Sequence, residues 1–252
     1  MTDAIGDLDR VSHGIGGTVG LLLMRSYLLA GNSAHYDAVI AAFENRGLAV
    51  VPAFASSLDA RPAIEQYFIK DGRVAVDAVV SLTGFSLVGG PAYNDAAAAE
   101  KILARLDVPY IAALPVEFQS LEQWKASDQG LLPVEATIMV AIPGREGATG
   151  SIVFGGRSEG GGPQDRDMRP EPSRIARLVA RTEKLIVLRK SDRAERRVAV
   201  VIFGFPPNAG SVGTAAFLSV FETLHATLLA LRGHGYSVDV PESVEALRTA
   251  IL

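Results

Sequence analysis

Apolar positions along the chain switch between two rhythms. Continuous apolar runs, TVGLLLMR (18–25), LAVVPAFA (48–55), VDAVVSL (76–82) and VPYIAAL (108–114), read as strands buried on both faces. Between them the spacing lengthens to three and four residues. Tyr36, Val39, Ile40 and Phe43 mark a helix over 33–47 that Gly47 stops, and ARPAIEQYFIKDG (60–72) is a helix with Pro62 near its start and Gly72 at its end. Asp95 caps a further helix over 95–107. Four strand-helix alternations with short connections predict a parallel sheet with helices on both faces.

After Glu117 the pattern loosens. SLEQWKAS (120–127) is a short helix, and PVEATIMVAIP (133–143) and GSIVFGG (150–156) read as strands joined by a hairpin. GGRSEGGGPQDRDMRPEP (155–172) lacks apolar periodicity and reads as a mobile loop or linker. Ser173 then caps a helix with Ile175, Leu178, Val179, Thr182, Leu185 and Ile186 on one face. RVAVVIFGF (197–205) is another buried-type strand, 213–233 a long helix, YSVDV (236–240) a strand and 242–252 a helix.

The fold class is therefore α/β, a parallel Rossmann- or flavodoxin-like sheet followed by a second, incomplete α/β unit. Residues 1–17 are a divergent or flexible lead, 18–145 the α/β domain, 146–172 a hairpin strand and loop, and 173–252 the second unit. That unit offers little more than two strands, so residues 134–156 or chain beyond Leu252 are expected to finish it.

Composition narrows the chemistry. A net charge of −4 over 252 residues gives no electrostatic case for nucleic acid, and the absence of cysteine removes disulfides, thiolate metal sites and a cysteine nucleophile. No apolar stretch is long enough for a membrane span, and MTDAIGDLDR lacks the basic start of a signal peptide, so a cytoplasmic setting is expected. G-x-G-x-x-G, G-x-S-x-G and H-E-x-x-H are all missing, and GFPPNAGS (204–211) lacks the lysine of a phosphate loop. The four histidines are scattered.

Position in the fold singles out two loops. TGFSLVGGPAYND (83–95) and FPPNAGSVGT (205–214) each leave a buried-type strand at its carboxyl end, where open α/β sheets bind ligands. Their glycines permit close backbone approach, although glycine and proline also make tight turns without any ligand. Arg25, after the first strand, and His35 on the following helix form a third candidate; Arg25 suits a carboxylate or an ordinary surface ion pair. Charge is uneven too: residues 157–197 hold twelve of the 24 basic residues against seven acids. Arg174, Arg177, Arg181 and Lys184 follow at helical spacing, a face for docking partners or simply a solvated one.

The segment FGFPPNAGSVGTAAFLSVFETLHATLLALRGHGYSV (203–238) resembles the PPN-x-G-x-x-GTA stretch of the large subunits of magnesium chelatase and cobaltochelatase. MRSYLLAGNSAHYDAVIAAFENRGLAVVPAFAS and VVSLTGFSLVGGPAYNDAAAAEKILARLDVPYIAALPVEFQSLEQW are similar to the magnesium branch, in its bacteriochlorophyll-pathway form. The resemblance runs from Thr18 to Leu252, part of a much longer large (H) subunit.

The resemblance implies binding of protoporphyrin IX and insertion of Mg2+ with ATP hydrolysed by two separate AAA+-type subunits, in chlorophyll or bacteriochlorophyll synthesis. Neither ATP nor metal is then held by this segment. It also implies that Thr83, Gly84, Ser86, Asn94, Asn208 and Ser211 line a tetrapyrrole cleft, and it assigns no catalytic residue here; Arg25 and His35 remain substrate-binding candidates by position. The alternatives are the cobalt branch and a noncatalytic scaffold that docks partner subunits through Arg174, Arg177, Arg181 and Lys184.

Overall fold

Strand β1 (Gly17–Leu23) is apolar on both faces and has a neighbour on each side. In the computed structural model, which describes residues 16–55, 57–90, 92–159, 167–204, 212–215 and 218–252, it lies between β2 (Leu48–Phe54) and β3 (Ala78–Ser81), parallel to both. β4 (Tyr110–Val116) and β5 (Ile152–Arg157) continue the parallel array, and β6 (Met168–Pro170) closes it antiparallel. The order β2-β1-β3-β4-β5-β6 reverses direction between β1 and β3. The three prolines in the sheet sit where a missing N–H is tolerated: Pro52 on edge strand β2, Pro115 at the register shift between β4 and β5, and Pro170 on edge strand β6.

Helices cover both faces, as two-sided burial of parallel strands demands. On one face Val19, Leu21, Leu23 and Val80 meet Tyr36, Val39 and Phe43 of α2 (Ala34–Glu44), which follows the short α1 (Arg25–Leu29). On the other, Leu22 and Val79 pack against Ile64 of α3 (Arg61–Tyr67), Phe68, and Ala99, Ile102 and Leu106 of α4 (Ala96–Leu106). Asp95 caps α4 as expected, accepting from the N–H of Ala98 at 3.0 Å. The helix expected to run to Gly72 stops at Tyr67; Asp71 and Gly72, with φ of 50° and 74°, instead turn a small ribbon between Ile69–Lys70 and Arg73–Val74.

The largest difference from the sequence pattern follows β4. After α5 (Leu121–Ala126), residues 133–143, expected as a strand, are helical: α6 (Pro133–Glu135), a π-helical turn over Ala136–Ala141, and α7 (Ile142–Arg145). The sheet position beside β4 belongs to β5, so no hairpin forms and the segment becomes the crossover between two parallel strands. Its sequence supports this. Pro133 starts the helix, Met139 packs on Leu114, Val116 and Val153, and Glu135, fully buried, accepts from the N–H groups of Phe118 (3.2 Å) and Leu132 (3.0 Å) and from the Gln119 amide (2.5 Å).

Within the glycine-rich stretch 155–172, residues 155–157 belong to β5 and 168–170 to β6; its middle, 160–166, lies outside the described residues. Ser173 is not a cap: α8 (Pro172–Lys190) opens on the Glu171 carbonyl, and the Ser173 hydroxyl donates to the Glu171 carboxylate. Ile175, Leu178, Val179 and Ile186 of α8 join the α2 layer, so this helix completes the first sheet.

The chain divides into a unit ending at Val187 and a second over Leu188–Leu252. The second holds a hairpin of Thr214–Ala215 with Leu218–Ser219, then α9 (Val220–Gly233) and α10 (Val244–Ile251). The expected helix over 213–233 thus begins only at Val220, and neither 197–204 nor 236–240 belongs to a strand among the described residues. A strand needs a neighbour to pair with; among the described residues no strand pairs with 197–202, and Gly204 makes only an isolated bridge with Val212.

If α8 is part of the first unit, Leu178→Ala should cost about 2–5 kcal/mol of that unit's stability, whereas Val201→Ala at an exposed position should change it by less than about 0.5 kcal/mol. Urea unfolding followed by circular dichroism checks both.

Candidate functional site

Where the strand order reverses, the loops after β1 and β3 part and leave a cleft at the carboxyl ends of the strands. Its volume is about 350 Å³, and its lining is mainly apolar: Leu22, Met24, Leu29, Leu58, Phe85 and Leu87. Polar groups are few and grouped. Arg25 stands exposed at the lip, and Ser81, Thr83 and Ser86 line the wall from β3. A smaller recess of about 220 Å³ shares Met24, Ser26, Thr83 and Phe85 and adds Tyr27, Gly84, Glu117 and Met139.

The loops are held by their own main chain. Gly89 N donates to Leu58 O (3.0 Å) and Ala60 N to Leu87 O (3.0 Å), tying the loop after β2 to the loop after β3. Gly89 has φ of 117°, and a Cβ there would stand 2.2 Å from the Tyr93 carbonyl, so this turn admits glycine alone. Behind the wall lies a buried carboxylate: Glu146 accepts from Leu87 N at 2.8 Å and pairs with the Ser86 hydroxyl. The Ser81 and Thr83 hydroxyls are 2.9 Å apart. Serine and threonine on a wall otherwise made of leucine, methionine and phenylalanine give a ligand hydrogen-bonding points with little bulk.

The expected site residues thus separate into groups. Arg25, Thr83 and Ser86 converge on the cleft, and Gly84 lines the adjoining recess. Asn94 does not reach either; it pairs with Gly89 to close the turn. Asn208 and Ser211 lie outside the described residues. His35 is fully buried under the sheet, its ring stacked on Phe154 (centroids 5.7 Å apart) and against Tyr36 (3.8 Å), with no hydrogen-bond partner for either nitrogen. It packs, because the apolar helix face that carries Tyr36 and Val39 turns it inward. Burial also pulls its pKa down to about 4 from 6.5.

Tyr27 and Glu117 carry no signal in the sequence. The Tyr27 hydroxyl donates to Glu117 at 2.7 Å, closing one side of the recess, and burial together with this carboxylate raises the phenol pKa. Ninety residues separate the pair, so no local motif could have shown it. Glu146 was hidden for a different reason, lying in a stretch that reads as a hairpin turn.

The basic stripe of α8 is half engaged. Arg174 sits over the Trp124 ring at 5.1 Å, and Arg181 donates to the Gly150 carbonyl; Arg177 and Lys184 remain exposed. No group of His, Cys, Asp and Glu among the described residues could hold a metal ion, and no described helix is long and apolar enough to cross a membrane.

A switch-point cleft with an apolar wall and one arginine is the frame of a small-molecule-binding α/β domain. Residues 7–252 match the CobN/magnesium chelatase family, and the chain belongs to it. Over 93% of its length it is 55% identical to the magnesium-chelatase H protein of Cereibacter sphaeroides, and over 91% it is 40% identical to the chloroplastic magnesium-chelatase ChlH protein of Oryza sativa subsp. indica. It spans only 21% and 16% of those proteins. Among solved structures, the catalytic subunit of cobaltochelatase from Mycobacterium tuberculosis superposes with a TM-score of 0.74 at 27% identity, covering 94% of this chain and 20% of that one.

Buried His35 makes the fold sensitive to acid. Above pH 6.5 the ring is neutral in both folded and unfolded chains and contributes no pH dependence; below it the unfolded chain gains a proton that the folded chain refuses until about pH 4. Stability should therefore fall as pH drops through this window, by up to about 1.4 kcal/mol per pH unit. His35→Phe should remove that slope, measured by urea titrations at about pH 7, 6 and 5.

Proposed function

We propose that this chain is a porphyrin-binding portion of the large subunit of a magnesium chelatase, acting in the cytoplasm on the way to chlorophyll or bacteriochlorophyll. The observation that carries the reading is the 55% identity to the magnesium-chelatase H protein across 93% of the chain, twice the 27% identity to the cobaltochelatase subunit. It favours the magnesium branch over the cobalt branch. The chemistry of the cleft is compatible with it. Protoporphyrin IX is a flat apolar ring with two carboxylates on one edge, and the cleft pairs an apolar wall with a single exposed guanidinium.

Size limits what enters. Small-molecule pockets run from about 300 to 1,000 Å³, so a cleft of about 350 Å³ takes an edge of the ring and not the whole of it. In this reading Arg25 receives one propionate, the Ser81–Thr83 hydroxyl pair offers a second polar contact, and Phe85 and Leu58 lie along the ring. The exposed Leu29 and Leu58 at the rim then meet the part that projects. Mg2+ is the substrate ion, and ATP is consumed by the separate AAA+-type subunits; this segment positions the tetrapyrrole and carries no catalytic residue. A scaffold role has its own support in exposed Arg177 and Lys184, two basic groups on α8 that face solvent and suit acidic partners.

Titration of the purified chain with protoporphyrin IX, followed by the porphyrin absorbance shift, tests the reading. Saturable binding is expected, weakened about five-fold in Arg25→Gln, the worth of one exposed charge pair of about 1 kcal/mol. The dimethyl ester, which lacks the carboxylates, should bind both forms alike. A folded chain that shows no saturable binding would leave the scaffold reading in its place.

A further inference from the structure

Charge is divided unequally between the two cavities at the carboxyl ends of the strands. The cleft of about 350 Å³ and the recess of about 220 Å³ adjoin, with Met24, Ser26, Thr83 and Phe85 lining both. Arg25 stands at the first and Glu117 at the second, and among the described residues no other charged side chain lines either. A flat ligand that reaches across both meets a cation at one end and an anion at the other.

Glu117 directly follows β4 and is half-buried. The Tyr27 hydroxyl donates to its Oε1 at 2.7 Å, which holds the carboxylate on the wall of the recess and leaves its negative charge in place. Among the described residues no cation forms an ion pair with it. Arg157 lies near the Tyr27 phenol and works against the rise in its pKa, but it does not line the recess.

We propose that Glu117 is a specificity-determining residue of the cleft, rejecting any tetrapyrrole that brings a carboxylate to the recess. The inference rests on the porphyrin reading and names which porphyrins that site takes: those with carboxylates along one edge only. With a propionate at Arg25, protoporphyrin IX still has a side of methyl and vinyl groups to set among Phe85, Phe118, Ile138 and Met139. A ring with a propionate on each of its four pyrroles has no such side. Whichever way it turns, a carboxylate approaches Glu117, and two like charges in a partly dehydrated recess repel. Discrimination then comes from a repulsive group and needs no tighter contact with the accepted ring.

Coproporphyrin III, with four propionates, is the probe, and the quantity read is the ratio of its Kd to that of protoporphyrin IX in titrations of the purified chain. The ratio should be at least about five in the unmodified chain, and Glu117→Gln, which keeps the shape and still accepts from Tyr27, should bring it to about one. Tyr27→Phe removes the hydrogen bond but not the charge and should leave the ratio high. A substitution that only loosens the fold weakens both porphyrins together and does not move the ratio. Equal Kd values in the unmodified chain overturn the proposal. So does a ratio that Glu117→Gln leaves high, which would assign the discrimination to ring size, and so does a ratio that Tyr27→Phe abolishes, which would assign it to the hydrogen bond. If protoporphyrin IX itself does not bind the folded chain, the porphyrin reading fails and the inference falls with it.

Discussion

A parallel strand buried on both faces cannot exist without two flanking strands and two covering layers, and β1 is the strand on which this demand falls hardest. Val19, Leu21 and Leu23 point to one layer and Leu22 to the other. Meeting both requires α2 and α8 above and α3 and α4 below. The last of these in the chain, α8, comes from beyond residue 170, so the first unit is not closed until most of the chain has been used. The site inherits this arrangement: the cleft exists because β1 and β3, adjacent in the sheet, send their following loops apart.

Much of the first unit was legible because a two-sided strand writes a continuous apolar run and a covering helix writes a three-four spacing. Both signals are local. The run 133–143 misled for an instructive reason: Val134, Thr137, Ile138 and Val140 are strand formers, but the position beside β4 was already held by β5, and tertiary competition outweighed propensity. The opposite failure occurred at 197–204, where the pattern of a buried strand is present and the neighbours that would bury it are not among the described residues.

The site was legible in part. Topology led to Arg25 and to the loop 83–95, since the carboxyl ends of strands at a reversal of order can be located from a correct strand list, while Thr83, Gly84 and Ser86 within that loop came from the family resemblance. Asn94 and His35 show where such reasoning stops: a residue near the right loop can be spent on the turn itself, and one on the right helix can face the core. Glu117 and Glu146 mark the other limit, because their roles depend on contacts made across 90 and 60 residues.

Gly155 shapes the layer above it. A Cβ there would meet the Arg169 carbonyl at 2.5 Å, so close approach of β5 and β6 keeps that position bare, and His35 Cβ lies 3.4 Å from the same point. The sheet is dented where the side chain is missing, and His35 of α2 sits over the dent with its Cβ toward it. Its thickness and flatness, more than its nitrogens, are what the position uses: a histidine with two idle polar atoms persists in the core as a spacer between two layers.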